Sequence, residues 1–151
     1  MSDPTRQPEL SGQSLVEFAL VFPIFLLLLF GLIDIGRYVY TANALNQAAR
    51  EGARYGSVAS WSATCAGSRE SCIERETVAR LAGVQTDTSD VVITCRRMRA
   101  SGLAVAPVAD CRSNDLLSVD LKADFQILTP IIGQFIGATR LEGYAEVTVS
   151  Q

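Results

Sequence analysis

The chain has 151 residues, 13 cationic and 16 acidic side chains, no histidine and a formal charge of −3. That length fits one domain with at most one added element, and the charge lacks the basic excess of a nonspecific nucleic-acid binder, so no nucleic-acid partner is expected. Missing histidine removes the commonest general base and metal ligand; mean hydropathy is +0.23, with the apolar residues unevenly spread.

The first twelve residues, MSDPTRQPELSG, are polar with two prolines and read as an exposed leader. Phe18 to Ile33 then runs 16 residues without a charge, interrupted only by Pro23 and Gly31. At about 1.5 Å per residue this run is near 24 Å, short of the roughly 30 Å hydrocarbon core. Extending it to about residues 15–36 reaches the necessary length and takes in Glu17 and Asp34. The run is therefore expected to cross a lipid bilayer, provided those carboxylates sit at the interfaces or find partners.

The helical pattern continues past the apolar run to Val58. Ala44, Ala48, Gly52 and Gly56 recur every four residues, beside Ala49 and Ala53. Residues four apart share a face, so this strip is nearly bare of side-chain bulk and admits another backbone closely. Ala44, Ala48, Gly52 and Gly56 are expected to be assembly positions that pack against other subunits. Each interior glycine costs about 1 kcal/mol relative to alanine, so packing is expected to require the small size.

Residues 60–69, with Trp61 and Cys65, read as loop. A short helix is expected from Ser71, where Ser71-Cys72-Ile73-Glu74 fits a capping box, to a stop at Gly83. Its inner side is Ile73, Thr77, Val78, Leu81 and Ala82, and Glu76 and Arg80 form an outer i,i+4 pair. Val91 to Arg96 reads as a strand, and Leu103 to Ala106 as a weaker one ended by Pro107. Leu117 to Ile127 alternates strictly between apolar and polar residues, as a half-buried strand does. Thr129-Pro130 opens a short turn carrying Ile131, Ile132, Phe135 and Ile136. The last segment alternates again through Leu141, Gly143, Ala145, Val147 and Val149. Polar outer faces favour antiparallel pairing, with the apolar face against the first helix or the short one.

Four cysteines follow the apolar run and none precedes it. An even count beyond a membrane anchor points to an oxidising compartment. Three pairings are possible; Cys65 with Cys72 and Cys95 with Cys111 is the local solution, and four reduced thiols are the alternative. No Gly-rich phosphate loop, nucleophile elbow or paired-cysteine zinc spacing is present. No catalytic residue, metal or cofactor is expected, and the chain is read as a non-enzyme. Asp120, Lys122 and Asp124 read as outward charges on a strand.

One constellation carries more. Gly12 precedes Gln13-Ser14-Leu15-Val16-Glu17-Phe18, and the apolar run follows. Cleavage after Gly12 would free an ammonium at Gln13 able to pair with the carboxylate of Glu17, and Gly12 would offer a peptidase an unhindered, extended substrate. From Gly12 to Gly56 the chain resembles TadE-like proteins, pseudopilins of tight-adherence pilus systems. The resemblance rests on Val16-Glu17-Phe18-Ala19, Pro23, Gly31 with Asp34, and Ala48-Ala49-Arg50-Glu51-Gly52-Ala53-Arg54. It implies a bacterial inner-membrane protein with an extracytoplasmic C-terminal domain, cut by a prepilin peptidase between Gly12 and Gln13. It also implies Glu17 as the assembly carboxylate, Phe18 and Pro23 within the assembly helix, and partners among pilin or pseudopilin subunits and an inner-membrane assembly platform. A minor pseudopilin is the leading expectation, and an envelope display protein with a pilin-like anchor is the alternative.

The expected fold class is α+β, divided into a leader (1–12), a long helix (13–58, membrane part about 15–36) and a small extracytoplasmic domain (59–151) with an antiparallel sheet and short helices.

Overall fold

The computed structural model describes residues 11–58, 65–81, 83, 84, 86, 88–98, 104–107, 111–129, 137 and 139–150. The first ten residues, the loop around Trp61 and the turn carrying Ile131, Ile132, Phe135 and Ile136 lie outside them.

One helix, α1, spans Ser11–Ser57, 47 residues, and is about 70 Å long at 1.5 Å per residue. Pro23 lies within it without ending it. The second helix, α2, runs Arg69–Ala79, one turn earlier than the capping-box pattern at Ser71 indicates. Its N-cap is Ser68, whose hydroxyl accepts the Ser71 N–H at 3.2 Å. Starting there places Glu70 in the first turn, where the helix dipole favours a carboxylate. The helix also closes before Gly83, at Arg80; Gly83 has φ +80° in the turn beyond, a conformation that suits glycine.

Four strands follow: β1 (Val91–Met98), β2 (Ala104–Pro107), β3 (Leu116–Phe125) and β4 (Thr139–Thr148). They form one antiparallel sheet in the order β2-β1-β3-β4. Pro107 lies in the edge strand β2 rather than beyond it, where a missing N–H is tolerated. β3 ends two residues before the alternation does. Its last partner pair is Phe125 with Thr139, after which the chain turns toward α1.

The alternation sets the layers. Leu117, Val119, Leu121, Ala123 and Phe125 of β3 are buried, as are Leu141, Gly143, Ala145 and Val149 in or just after β4. This face meets Leu45, Ala48, Ala49 and Ala53 of α1 and Ile73 of α2 in one cluster. The sheet is thus covered on one face by the distal half of α1 together with α2, as the sequence indicates. Burying each large side chain such as Leu45, Ile73, Leu117 or Leu121 contributes about 1.5–3 kcal/mol.

Two features fix α1 on the sheet. Gly143 faces the helix, and a Cβ there would lie 2.6 Å from the carbonyl carbon and oxygen of Leu45. The bare position lets the helix backbone rest on β4. At the far end, the Ser150 N–H donates to the Ser57 carbonyl at 3.0 Å, satisfying one of the carbonyls left open where the helix stops.

Candidate functional site

The proximal half of α1 stands clear of the domain. Leu20, Leu28 and Leu32 are 69%, 69% and 71% exposed, and Phe18, Ile24 and Phe25 are similarly open. Residues 12–57 form a helix long and apolar enough to cross a membrane. An uncovered apolar surface of this extent is unfavourable in water and favourable in hydrocarbon.

At the head of this helix lie the residues of the processing pattern. Gly12, Gln13, Glu17 and Phe18 are all exposed. Gln13 and Glu17 are four apart, so they share one helical face. Phe18 stacks on Phe22 with ring centroids 5.2 Å apart. Gly12 lies within α1, which is described from Ser11 onward. The Gly12–Gln13 bond is therefore in its first described turn.

The proximal half ends at a junction built around Asp34. This carboxylate lies in the apolar stretch yet is 8% exposed. It accepts the Leu128 N–H at 3.0 Å, the Thr129 N–H at 2.9 Å and the Thr129 hydroxyl at 2.6 Å. Arg37 sits 3.5 Å from the same carboxylate and donates to the Gln126 carbonyl at 3.3 Å. The Arg37 guanidinium also lies 5.4 Å from the centre of the Phe125 ring, and Tyr38 meets that ring edge-on at 5.8 Å. One helical turn thus holds the exit of β3. From the sequence, Asp34 has to sit at an interface or find a partner; its donors lie 94 and 95 positions away.

The small-residue strip is filled from within the chain, and this corrects the role expected for it. A Cβ on Gly52 would collide with the Thr77 hydroxyl of α2. One on Gly56 would collide with Ile73 and come within 2.7 Å of Leu117 Cδ2. Ala48 is buried and Ala44 packs against the core. Bareness predicts close approach correctly, but the approaching elements are α2 and β3 of the same molecule. Leucine at Gly52 would accordingly disrupt this chain's own packing.

The cysteines and the charged residues lie around the sheet. Cys65 is bridged to Cys72 and Cys95 to Cys111, with Cα separations of 6.0 and 5.6 Å. Glu76 and Arg80 pair at 2.6 Å. Lys122 pairs across strands with Glu142 at 3.3 Å, and Asp124 with Arg140 at 3.2 Å, so these two charges of β3 are met by β4. Two arginines of β1 are also paired: Arg96 lies 3.5 Å from Glu146, and Arg97 lies 3.5 Å from the buried Asp115. Tyr144 donates to Glu146 at 3.0 Å. Partial burial, then this bond and the neighbouring carboxylate charge, push its phenol above the ordinary range.

The family model for TadE-like proteins matches residues 12–54. No curated protein and no solved structure matches the chain. The match begins at the Gly12…Glu17-Phe18 pattern and includes Glu17, Asp34 and Ala44, Ala48 and Gly52 of the small-residue strip, while Gly56 and the contacting Thr77, Leu128 and Thr129 lie outside it. Over residues 12–54, most of α1, the chain is similar to TadE-like proteins.

Proposed function

We propose that the chain is a minor pseudopilin that takes part in assembling a tight-adherence type pilus or a related secretion system. The observation that carries this reading is the Gly12…Glu17-Phe18 pattern at the exposed head of a TadE-like apolar helix. In the proposed sequence of events, a prepilin peptidase cuts between Gly12 and Gln13, leaving an ammonium at Gln13. The helix stays in the inner membrane, with the disulfide-bearing domain outside the cytoplasm. Glu17 lies one turn from the new terminus, in a low dielectric where an unpaired carboxylate is costly. The ammonium of an adjacent subunit compensates that cost and aligns the two helices axially. Desolvation offsets much of the Coulomb gain, so packing of the exposed apolar side chains supplies most of the attraction. Other pilin or pseudopilin subunits and the assembly platform are the partners, and no catalysis by this chain is involved.

A second reading, an envelope display protein using a pilin-like anchor, draws on the small-residue strip. Because α2 and β3 fill that strip, it is not available to bring in another subunit.

The test combines intact mass and N-terminal sequencing with site-specific crosslinking in native membranes. Cleavage after Gly12 and loss of partner crosslinks in Glu17→Gln, with membrane insertion retained, are the expected results. Wild-type crosslinking and pilus formation in Glu17→Gln would favour the display reading instead.

A further inference from the structure

The charges that bracket the apolar half of α1 give a depth scale. Glu17 and Arg37 are twenty residues apart, or about 30 Å along a helix, the thickness of a hydrocarbon core. Asp34 lies three residues inside Arg37, about 4.5 Å toward the bilayer centre. A carboxylate in water needs no dedicated donors. Asp34 has three from the domain, all within 3.0 Å, which is the arrangement demanded where water is scarce. Those donors belong to Leu128 and Thr129, so the exit of β3 lies at the same level as Asp34.

The side chains at this level suit a lipid boundary. Leu128 is 57% exposed although its own N–H is bonded to Asp34. Ile35, one residue beyond Asp34, is 64% exposed. Arg37 and Tyr38, packed on Phe125, place a cation and a phenol just above them. Long cations and tyrosines occupy this position at membrane interfaces, with apolar stems below and polar heads in the headgroups.

We infer that the base of the domain, at Leu128 and the exit of β3, is seated in the lipid interface and forms a second membrane contact beside α1. This rests on the reading of α1 as a membrane-spanning helix. The domain then does not stand off on a stalk: Leu128 and Thr129 shield Asp34 from hydrocarbon, and Leu128 faces acyl chains.

The experiment uses the full chain, oxidised so that the native cysteines are bridged, with single introduced cysteines carrying an environment-sensitive fluorophore. Leu128→Cys is the test position, and its exposure makes the label tolerable. Leu28→Cys reports the span, and Val92→Cys, on the open face of the sheet, reports water. Each protein is reconstituted in phosphatidylcholine–phosphatidylglycerol vesicles containing lipids brominated near the headgroup end of the acyl chain or near its middle. The label at Leu128 should lose most of its emission to the shallow bromines, little to the deep ones and little to aqueous iodide. The label at Val92 should respond to iodide alone. Iodide quenching at Leu128 equal to that at Val92, or shielding at Leu128 from both quenchers by a second protein copy, would overturn the inference. Lipid quenching at Leu28 in the same preparation shows that the spanning reading survives such a failure; its absence removes both.

Discussion

Asp34 shows how one side chain can join two environments. Replacing it with alanine removes a charged acceptor from three donors and leaves the Leu128 and Thr129 amides buried beside the helix without it. The expected loss is about 2–4 kcal/mol of domain stability, because hydrogen bonds to a charged group are individually worth about 1.5–3 kcal/mol. Hydrogen exchange in detergent-solubilised protein should show Leu128 and Thr129 losing protection in Asp34→Ala while Val119, in the middle of β3, keeps more of its own. Two glycines provide a matched contrast. Gly143→Ala places a Cβ against the Leu45 backbone, which cannot rotate away as a side chain can, and should cost about 1–3 kcal/mol by overpacking. Gly36→Ala meets nothing within 4 Å and should raise stability by up to about 1 kcal/mol through helix propensity. Thermal unfolding of the two variants separates these outcomes. Sequence alone revealed that Asp34 needed an interface or a partner, since an unpaired carboxylate in hydrocarbon is costly. It did not reveal Thr129, because nothing local marks a threonine after a strand as a donor to a helix so far away in the chain.

Elements defined by local periodicity were readable, and elements defined by what they touch were less so. The alternation of β3 identified its buried side correctly, because a period of two leaves one choice of face. Its end was misplaced at Ile127, since the chain leaves the sheet in order to reach Asp34. At α2 two serines competed for the cap, and Ser68 prevailed by adding a turn with Glu70 near its start. The small-residue strip foretold a close approach without naming the neighbour; Thr77 and Ile73 supply it. The disulfides join elements in a different way. Cys95 and Cys111 close a loop of sixteen residues, for which the chain-entropy model assigns about 3 kcal/mol. The paired change Cys95→Ser with Cys111→Ser should therefore lower the unfolding midpoint clearly, with the shorter Cys65–Cys72 bridge left intact. Alkylation of the native protein should modify no thiol before reduction and four after it.

For the whole molecule, the proposed topology places everything beyond Tyr38 outside the cytoplasm. Protease added to right-side-out spheroplasts should digest the domain, whereas complete protection there, with digestion after lysis, would reverse the orientation. The internal assembly of the domain was legible as a sheet under a helix, but its height above the bilayer was not, because that depends on the long-range contact at Asp34. The unbroken course of α1 has a further, angular consequence. A straight helix advances about 100° per residue, so the direction in which Glu17 points fixes the compass bearing of the sheet, as a shaft fixes its blade. Inserting one residue between Leu28 and Leu29 would swing the domain by about 100° around the shaft for a lift of only about 1.5 Å. Inserting four would lift it by about 6 Å yet bring the bearing back to within about 40°. If neighbouring subunits read the bearing, crosslinks between their domains should be lost with one added residue and largely restored with four.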